Sequence, residues 1–337
     1  MLSKRKKYKI LIDYSNFNNQ DTKRYFNGMT ELEFTGKELY ESVITCGMPY
    51  FLLTEKKRIL RKEEIMYKIY LLNTALEVNS HRYLIFSKKM RYLDSTECAY
   101  VNYYIGMFIT KLVSSKIFRF DYLVHLNIVK RYKSVKFNSP KRPDLIAFNK
   151  RVDIYSIFEA KGRGRTRLDD RTLRTAKEQV QAIKYVNGSK PLNGIVSAVV
   201  HDVENKVKCC LRDPEPKGSE ILNIPKFLLI WLYYEPIYLL FKEKEKNIKK
   251  CVDDYIDVPI RIKDNETLTI SMNTKLYWLL REYEKSNIYN SRKPTDKHIY
   301  KHIYTYIDKH IYEPIDKDID EKFLKDFQEI SEPLKME

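Results

Sequence analysis

Glycine and cysteine are scarce in this sequence, and their scarcity removes several classes of protein. The chain has nine glycines and five cysteines among 337 residues. It contains no Gly-x-x-x-x-Gly-Lys-Ser/Thr segment, so it supplies no phosphate-binding loop for ATP. The number of cysteines is odd and no Cys-x-x-Cys pair occurs, which argues against both a disulfide framework and a zinc ribbon.

Long hydrophobic runs are also missing. The longest run, Phe227 to Phe241, contains Glu235-Pro236 and is shorter than the roughly 20 residues of a membrane-spanning helix, so we expect buried helices there. Near the N-terminus, Ile10-Leu11-Ile12 is cut short by Asp13, which argues against a secretory signal. Because 43% of the residues are hydrophobic, the chain can still build a sizeable core. We therefore expect a globular protein of the cytoplasm that does not bind membranes.

Basic residues outnumber acidic ones by a wide margin. The 62 Lys and Arg against 45 Asp and Glu give a formal net charge of +17. Such a balance favours approach to a polyanion such as nucleic acid. Charge alone is not specific, because abundant lysine, tyrosine and isoleucine with few glycines also fit a chain encoded by AT-rich DNA. The balance therefore supports a nucleic-acid partner only if a site agrees with it.

A short segment in the middle of the chain carries the clearest chemistry. Asp144 precedes an apolar strand, Leu145 to Phe148, and the next predicted strand ends in Glu159-Ala160-Lys161. Side chains alternate across a strand, so Glu159 and Lys161 project to one face while Ala160 points to the other. The fourteen residues between Asp144 and Glu159 suffice for a strand, a turn and a returning strand. We therefore expect the three charged groups to converge at one edge of a hairpin.

Two carboxylates and one ammonium at a common edge are suited to phosphodiester hydrolysis. Without a cation the two carboxylates would repel, and one would tend to take up a proton. A magnesium ion neutralises both and keeps several waters, one of which is a natural nucleophile. Lys161 can orient that water or stabilise charge on the phosphate. The alternative is a surface ion cluster that only closes the hairpin.

The pattern of Pro143-Asp144 followed by Glu159-Ala160-Lys161 resembles the PD-(D/E)xK nuclease superfamily. The resemblance implies a restriction-endonuclease-like core, in which a helix, a mixed central sheet of three or four strands and a second helix follow one another. It also implies that Asp144 and Glu159 bind the metal and that Lys161 is the catalytic lysine. The resemblance covers roughly residues 90 to 212, and the tripeptide alone is a weak signal in a lysine-rich chain.

Two further features of that superfamily have counterparts in this sequence. Many members place a glutamate on the first core helix, where Glu97 is the candidate for a third metal ligand. Some branches, including the RecB-type nuclease domain, carry Gln-x-x-x-Tyr on the helix after the lysine, and Gln181 and Tyr185 have this spacing here. Four residues apart on one side of a helix, both are expected to bind nucleic acid by reaching a phosphate or base. The alternatives are a first-turn glutamate favoured by the helix dipole and an ordinary helix flank that faces water.

The flanking segments have patterns that fit such a core. Apolar positions at helical spacing predict a helix from Glu97 to Leu112 and another from Leu173 through Ile183. For the second helix, Asp169 or Asp170 is the expected N-cap and Asn187-Gly188 the stop. Further strands are predicted over Tyr122 to Lys130, Gly194 to Val200 and Lys206 to Leu211.

An arginine-rich loop follows the motif directly. Arg163, Arg165 and Arg167 alternate with small or polar residues, and Gly162 and Gly164 allow close approach of the backbone to a ligand. Arginine binds phosphate groups in a bidentate manner, so the loop is suited to a nucleic-acid backbone. The alternative is an exposed basic loop without a ligand.

The outer parts of the chain are less informative. We expect an N-terminal α/β extension over residues 1–89, the core over 90–212, and a mostly helical region over 213–337 that binds substrate or a partner. Asp13 ends a strand that resembles the first strand of PIN-like ribonucleases, but the further aspartates of that family cannot be placed. His298 and His302 have the spacing of a metal pair on a helix, although their repeat also fits sequence slippage.

The sequence therefore predicts a magnesium- or manganese-dependent nuclease that acts on nucleic acid, with DNA as the expected substrate. A restriction or anti-phage defence assembly is a setting in which the superfamily often occurs. A homodimer, or a partner protein that supplies ATPase or sensing activity, fits that setting. The alternative is a non-catalytic subunit that binds nucleic acid or acts as a scaffold on the same fold.

Overall fold

A computed structural model describes residues 2–15, 17, 28–46, 57–129, 141–214, 217–242, 255–263, 266–291, 325–330 and 334–336. In chain order its elements are β1 (Lys7–Ser15), β2 (Gly28–Thr35), α1 (Gly36–Thr45), α2 (Lys57–Ala75), β3 (Leu76–Val78), β4 (Leu84–Phe86), α3 (Ser95–Lys116), β5 (Tyr122–His125), α4 (Leu126–Val129), β6 (Leu145–Phe148), β7 (Tyr155–Gly162), α5 (Asp170–Gln181), β8 (Ile183–Val186), β9 (Gly194–His201), β10 (Val207–Arg212), β11 (Glu220–Leu222), α6 (Lys226–Lys242), β12 (Tyr255–Lys263), β13 (Glu266–Asn273), α7 (Thr274–Ser291) and β14 (Leu334–Met336). A 3-10 helix, Lys88–Tyr92, precedes α3.

A seven-stranded mixed sheet forms the centre of the protein, with strand order β2-β1-β10-β9-β7-β6-β5. The pairs β1–β10 and β7–β9 are parallel, and the other neighbours are antiparallel. Helix α3 covers one face, where Thr110 donates a hydrogen bond to Ser197. Helix α5 covers the other face, where Val180 approaches Gly194. The protein is thus α/β, with helices on both faces of a mixed sheet.

Burial on both faces explains the composition of the central strands. All four residues of β6 and the first six of β7 are buried, so both strands are almost continuously apolar. Ser156 and Glu159 are the exceptions, and Glu159 is a charged residue with no exposed surface. A fully buried carboxyl group in a largely apolar strand needs polar partners, which adjacent residues must supply.

Strand β5 is shorter than the sequence predicts. The extended segment expected over Tyr122 to Lys130 ends at His125, and Leu126–Val129 forms the short helix α4. Lys130 lies outside the described residues. Strand β6 starts at Leu145, the partner of His125, and Pro143 just before it has no N–H group for a longer ladder. The backbone N–H of Leu126 instead donates to the carbonyl of Asp144 at 2.8 Å.

Helix α5 also ends earlier than predicted, at Gln181. Asp169 is its N-cap, as one of the two expected alternatives, and accepts a hydrogen bond from the Thr172 backbone at 2.8 Å. After the helix the chain forms β8, which pairs with β11. The backbone N–H of Gly218 donates to the Gln181 carbonyl, so the segment before β11 satisfies the helix end. The predicted stop at Asn187-Gly188 is a turn with positive φ after β8.

The first 89 residues do not form a unit apart from the core, because two of their strands belong to the central sheet. Strands β1 and β2 complete the central sheet, since β1 lies between β2 and β10. The C-terminal region, predicted to be mostly helical, has the helices α6 and α7 in its described part and also a three-stranded sheet, β12-β13-β14. Phe227 to Phe241 lie in one helix, α6, which contains Pro236 and is buried throughout that run. Within the described ranges, no helix is long and apolar enough to cross a membrane.

Candidate active site

Asp144 and Glu159 lie side by side and are joined by two reciprocal hydrogen bonds. The register of β6 and β7 pairs Leu145 with Phe158, which places Asp144 next to Glu159. The backbone N–H of Asp144 donates to Glu159 Oε2 at 2.9 Å. The backbone N–H of Ala160 donates to Asp144 Oδ2 at 3.2 Å. The backbone of the hairpin therefore holds both carboxyl groups in place.

Lys161 completes the group from the same face of β7. Its ammonium forms an ion pair with Glu159 Oε1. The Lys161 side chain is 22% exposed, whereas that of Glu159 is fully buried. The structure thus brings together the three residues that the sequence selected, with the lysine at the boundary between the buried carboxyl group and solvent.

The environment of Glu159 opposes its negative charge. The pKa of Glu159 is raised to about 8, because burial and, to a smaller extent, the nearby Asp144 carboxylate outweigh the lowering effect of Lys161. The negatively charged form of Glu159 therefore lacks sufficient compensation in the protein alone. An additional cation at this position would supply it.

Two carboxylates are a common set of protein ligands for a magnesium ion. Magnesium is bound through one or two carboxylates, with waters and substrate phosphates as its remaining ligands. The Asp144–Glu159 pair fits this requirement. Among the residues that the structure describes, no group of three or more His, Cys, Asp or Glu side chains is placed to hold a metal. A third acidic or histidine ligand is thus absent from the described part of the site.

Helix α5 fixes the segment that leads into Asp144. Gln179 Nε2 donates to the Arg142 carbonyl at 2.7 Å. Lys141 forms an ion pair with Glu178 at 3.0 Å. Both contacts hold the chain immediately before Asp144 against the second half of the helix. The position of Asp144 therefore depends on α5 as well as on the strand.

Helix α3 packs closely against the end of β7 from the other face. A Cβ atom on Gly162 would lie 1.7 Å from the carbonyl oxygen of Asn102, and one on Gly106 would lie 2.9 Å from the Gly162 nitrogen. Gly162 is buried. We expected Gly162 to give a ligand access to the backbone; the structure corrects this, because the space beside it is filled by α3. The two glycines bring the helix and the strand into backbone contact.

The arginine loop continues from β7 along β9. The backbone of Arg163 donates to the Val199 carbonyl at 2.8 Å, and the backbone of His201 donates to the Arg165 carbonyl at 3.0 Å. Arg165 and Arg167 are exposed and Arg163 is half-buried. An open cavity of about 570 Å³ lies here, lined by residues 165–170 and His201. The backbone of the loop is therefore fixed by hydrogen bonds. Its long cationic side chains are next to a space that can hold a ligand.

Glu97 does not lie at the site. It occupies the third position of α3, where its carboxylate accepts a hydrogen bond from the backbone of Asp94 at 3.0 Å in a capping box. The side chain is exposed. The residue of α3 that meets the end of β7 is Asn102, five positions later. The prediction of Glu97 as a metal ligand is therefore wrong in this structure, and its role is to cap the helix.

Gln181 and Tyr185 are not on one helical face. Gln181 is the last residue of α5, and Tyr185 lies in β8. The Gln-x-x-x-Tyr spacing thus spans a helix end and a strand, and the prediction that both residues share a helix is wrong. Val180, just before this junction, lies close to Gly194 at the start of β9, where an added Cβ atom would be 3.4 Å from the Val180 carbonyl oxygen. This is the end of the sheet opposite to Lys161.

Asp13, the alternative acidic residue, is also remote from the motif. The register aligns Asp13 with Cys210, Cys210 with Ala198 and Ala198 with Lys161, so Asp13 lies at the level of Lys161 but three strands away. At the usual strand spacing this separation is about 14 Å. There, the Asp13 carboxylate forms an ion pair with Arg212 at 3.2 Å. The PIN-like alternative receives no support from this arrangement. His298 and His302 lie outside the described residues.

Three residues near the site were not selected from the sequence. Asn102 is 8% exposed and its Oδ1 atom is buried without a hydrogen-bond partner. His125 ends β5, and its Nε2 atom is 3.4 Å from the Tyr103 hydroxyl. His201 lines the cavity beside the arginine loop. Only their positions at strand ends or on the first core helix distinguish them in the sequence, and that signal is shared by many residues.

The fold and the site thus define an α/β protein that carries two paired carboxyl groups and a lysine at one end of a mixed sheet. Comparisons with known proteins add no family to this description. The chain matches no protein-family model, no curated protein and no solved structure at a significant level.

Proposed function

We propose that this protein is a metal-dependent nuclease of the PD-(D/E)xK type with a restriction-endonuclease-like core. The observation that carries the proposal is the contact set of Asp144, Glu159 and Lys161 on adjoining strands. The order of helix α3, the central strands and helix α5 supports it, because it follows the order that the resemblance implies.

Each of the three side chains has a distinct part in the proposed reaction. Asp144 and Glu159 would hold Mg²⁺ or Mn²⁺, which when bound supplies a Lewis acid that neutralises phosphate charge and activates water. Lys161, which is partly exposed, can donate to a phosphate oxygen and stabilise the charge that develops during cleavage. The hydrogen bonds from the hairpin backbone keep both carboxyl groups oriented, so little rearrangement is required before the reaction.

The proposed substrate is nucleic acid, with DNA as the first choice. Arg163, Arg165 and Arg167 extend from the strand that carries the site, beside the open cavity. Arginine side chains at this position can bind the phosphates that flank a scissile bond. A restriction or anti-phage defence setting, a homodimer and a partner protein with ATPase or sensing activity remain proposals of the same kind.

The central experiment compares the wild-type chain with Lys161→Ala. Supercoiled plasmid, linear duplex, single-stranded DNA and RNA are each incubated with Mg²⁺, Mn²⁺ or EDTA. We expect cleavage that requires a metal and is lost in Lys161→Ala, while binding measured in EDTA is retained. Equal cleavage by the two proteins would assign the activity to another site or to a contaminant.

Binding measurements separate the roles of the other residues. Asp144→Ala should lose measurable Mg²⁺ binding in calorimetry, because half of the carboxylate pair is removed. Joint replacement of the three loop arginines by Ala should weaken binding to DNA and lower its dependence on salt, since fewer phosphates are neutralised. A non-catalytic subunit would instead bind nucleic acid and never cleave it under any metal condition.

A further inference from the structure

A row of tyrosine rings runs along helices α2 and α3. It consists of Tyr103, Tyr104, Tyr100 and Tyr67, with successive ring centroids 5.3, 4.9 and 6.3 Å apart. Tyr104 is buried, whereas Tyr67 and Tyr100 are 48% and 37% exposed. We refer to these four residues as the tyrosine row. Its inner rings are packed into the protein and its outer rings present aromatic surface to solvent.

The tyrosine row begins at the same end of the sheet as the candidate active site but on the opposite face, because α3 packs against the face of Gly162 whereas Glu159 and Lys161 project to the other. The Tyr103 hydroxyl is 3.4 Å from His125 Nε2. The next residue after His125 is hydrogen-bonded through its backbone to the Asp144 carbonyl. On the same helix, Asn102 lies against Gly162 and Gly164, which follow Lys161. The row thus leads away from the end of the sheet at which the two carboxyl groups and the lysine meet.

Basic residues flank both sides of this end of α3. The exposed Arg165 and Arg167 lie in the loop that Asn102 contacts through Gly164. On the other side, the 3-10 helix Lys88–Tyr92 carries the exposed Lys88, Lys89 and Arg91, and the thiol of Cys98 on α3 donates to its Met90 carbonyl at 3.3 Å. Acidic side chains also lie here: Asp94 and Glu97 cap α3, the exposed Glu63 stands one turn before Tyr67 on α2, and the buried Glu64 is paired with Lys68. The exposed lysines and arginines on either side are the groups that can pair with phosphate.

The combination of exposed aromatic rings and cationic side chains selects one form of nucleic acid. A ring can stack only on a base whose face is free, and the base faces in a duplex are covered by their neighbours. We propose that Tyr67 and Tyr100 bind unpaired nucleotides by stacking, and that the single-stranded segment passes around this end of the sheet to reach Asp144, Glu159 and Lys161 on the other face. The delivery of this segment for cleavage rests on the proposed function, whereas the binding does not.

The test compares two double variants of the full chain in EDTA, which prevents cleavage. In Tyr67→Leu/Tyr100→Leu the rings are lost but helix-forming side chains of similar size remain. In Tyr67→Phe/Tyr100→Phe only the hydroxyls are lost. Fluorescence anisotropy is measured with short DNA and RNA single strands and with a blunt DNA duplex. We expect the Leu variant to bind single strands about tenfold more weakly, and the Phe variant to bind them like wild type.

Ile154→Ala is the control, since Ile154 is as exposed as Tyr67, at 48%, and precedes β7 at the end opposite to Lys161. It should bind single strands like wild type.

Wild-type affinity of the Leu double variant for both DNA and RNA single strands would overturn the inference, as would an equal loss of affinity for the duplex. If no protein cleaves any substrate but the Leu variant alone loses single-strand binding, the proposed function fails and the stacking surface stands. If wild type cleaves and the Leu variant binds and cleaves single strands equally well, the stacking surface alone fails.

Discussion

Glu159 combines complete burial with a raised pKa, which makes the stability of the metal-free protein depend on pH. Because its pKa in the folded protein is about 8, above the ordinary value of 4.5, folding favours the protonated form. The resulting stabilisation is present in full below pH 4.5 and is lost as the pH rises through about 8. The direction is opposite to that of a salt-bridged carboxylate whose pKa is lowered.

Replacement of Glu159 by Gln should remove this dependence. The free energy of unfolding of wild type relative to Glu159→Gln should fall between pH 5 and pH 8 by on the order of a few kcal/mol. Urea denaturation of both proteins in EDTA, across this range, measures the difference. Parallel pH profiles for the two proteins would show that the buried carboxyl group does not titrate as described.

Metal binding at the same residue should have the opposite dependence on pH. A metal ion requires the deprotonated carboxylate, so the affinity for Mg²⁺ should rise as the pH approaches about 8 and level off above it. Calorimetric titration of the wild-type chain at several pH values measures this trend. An affinity that does not vary between pH 6 and pH 9 would separate the metal from Glu159.

Glu97 offers a contrast at the same scale, since the structure assigns it to a helix cap. Glu97→Gln should retain Mg²⁺ affinity and cleavage, because Gln can also occupy the third position of a capping box. Loss of the charge near the helix N-terminus should cost at most about 1 kcal/mol in stability. A large loss of Mg²⁺ affinity in this variant, comparable to that of Asp144→Ala, would restore Glu97 as a ligand.

At the scale of elements, the position of the site depends on the close approach of α3 and β7. Gly162→Ala should lower stability by about 1–3 kcal/mol, since its Cβ would collide with the Asn102 carbonyl and the packed elements must separate. Gly164→Ala is the control, because its Cβ would lie 3.2 Å from the Asn102 side-chain nitrogen, which can move. Thermal unfolding followed by circular dichroism compares the two. Equal melting temperatures would show that the contact is not tight.

The sequence predicts the elements around the motif correctly where tertiary contacts do not change the bounds that the local pattern indicates. The apolar runs of β6, β7 and β9 and the helical spacing in α3 indicate those elements directly. The failures have tertiary causes. Helix α5 ends at Gln181 because Gly218 satisfies its last carbonyl, and β5 ends where its partner strand starts. The sequence of α5 does not indicate its contact with the segment before β11. The sequence of β5 does not indicate where its partner strand β6 begins.

The same distinction holds for the site. Alternation along β7 is sufficient to place Glu159 and Lys161 on one face, and hairpin spacing is sufficient to place Asp144 beside them. The depth of burial of Glu159 depends on helices from distant parts of the chain and has no local signal. It is Asn102, and not Glu97, that lies at the end of β7. Which residue of α3 takes this position depends on where the helix crosses the sheet, and helical periodicity does not determine that point.

At the scale of the whole molecule, the N-terminal residues are part of the central sheet. A chain that begins at residue 90 would lose β1 and β2 and would leave the edge of β10 unpaired. We expect this fragment to aggregate or to unfold without cooperativity, in contrast to the full chain. Size-exclusion chromatography and thermal unfolding test this expectation. A soluble monomeric fragment with a sharp transition would establish residues 1–89 as dispensable for folding.

The two amide groups that hold the carboxyl pair also give a way to observe the site from the backbone. The Asp144 amide is bonded to one carboxyl group and the Ala160 amide to the other. Their hydrogen–deuterium exchange rates are therefore coupled to the orientation of both side chains. If an incoming ion draws the carboxylate oxygens away from these amides, both rates should change together, so that occupancy can be followed spectroscopically without a substrate or a catalytic turnover.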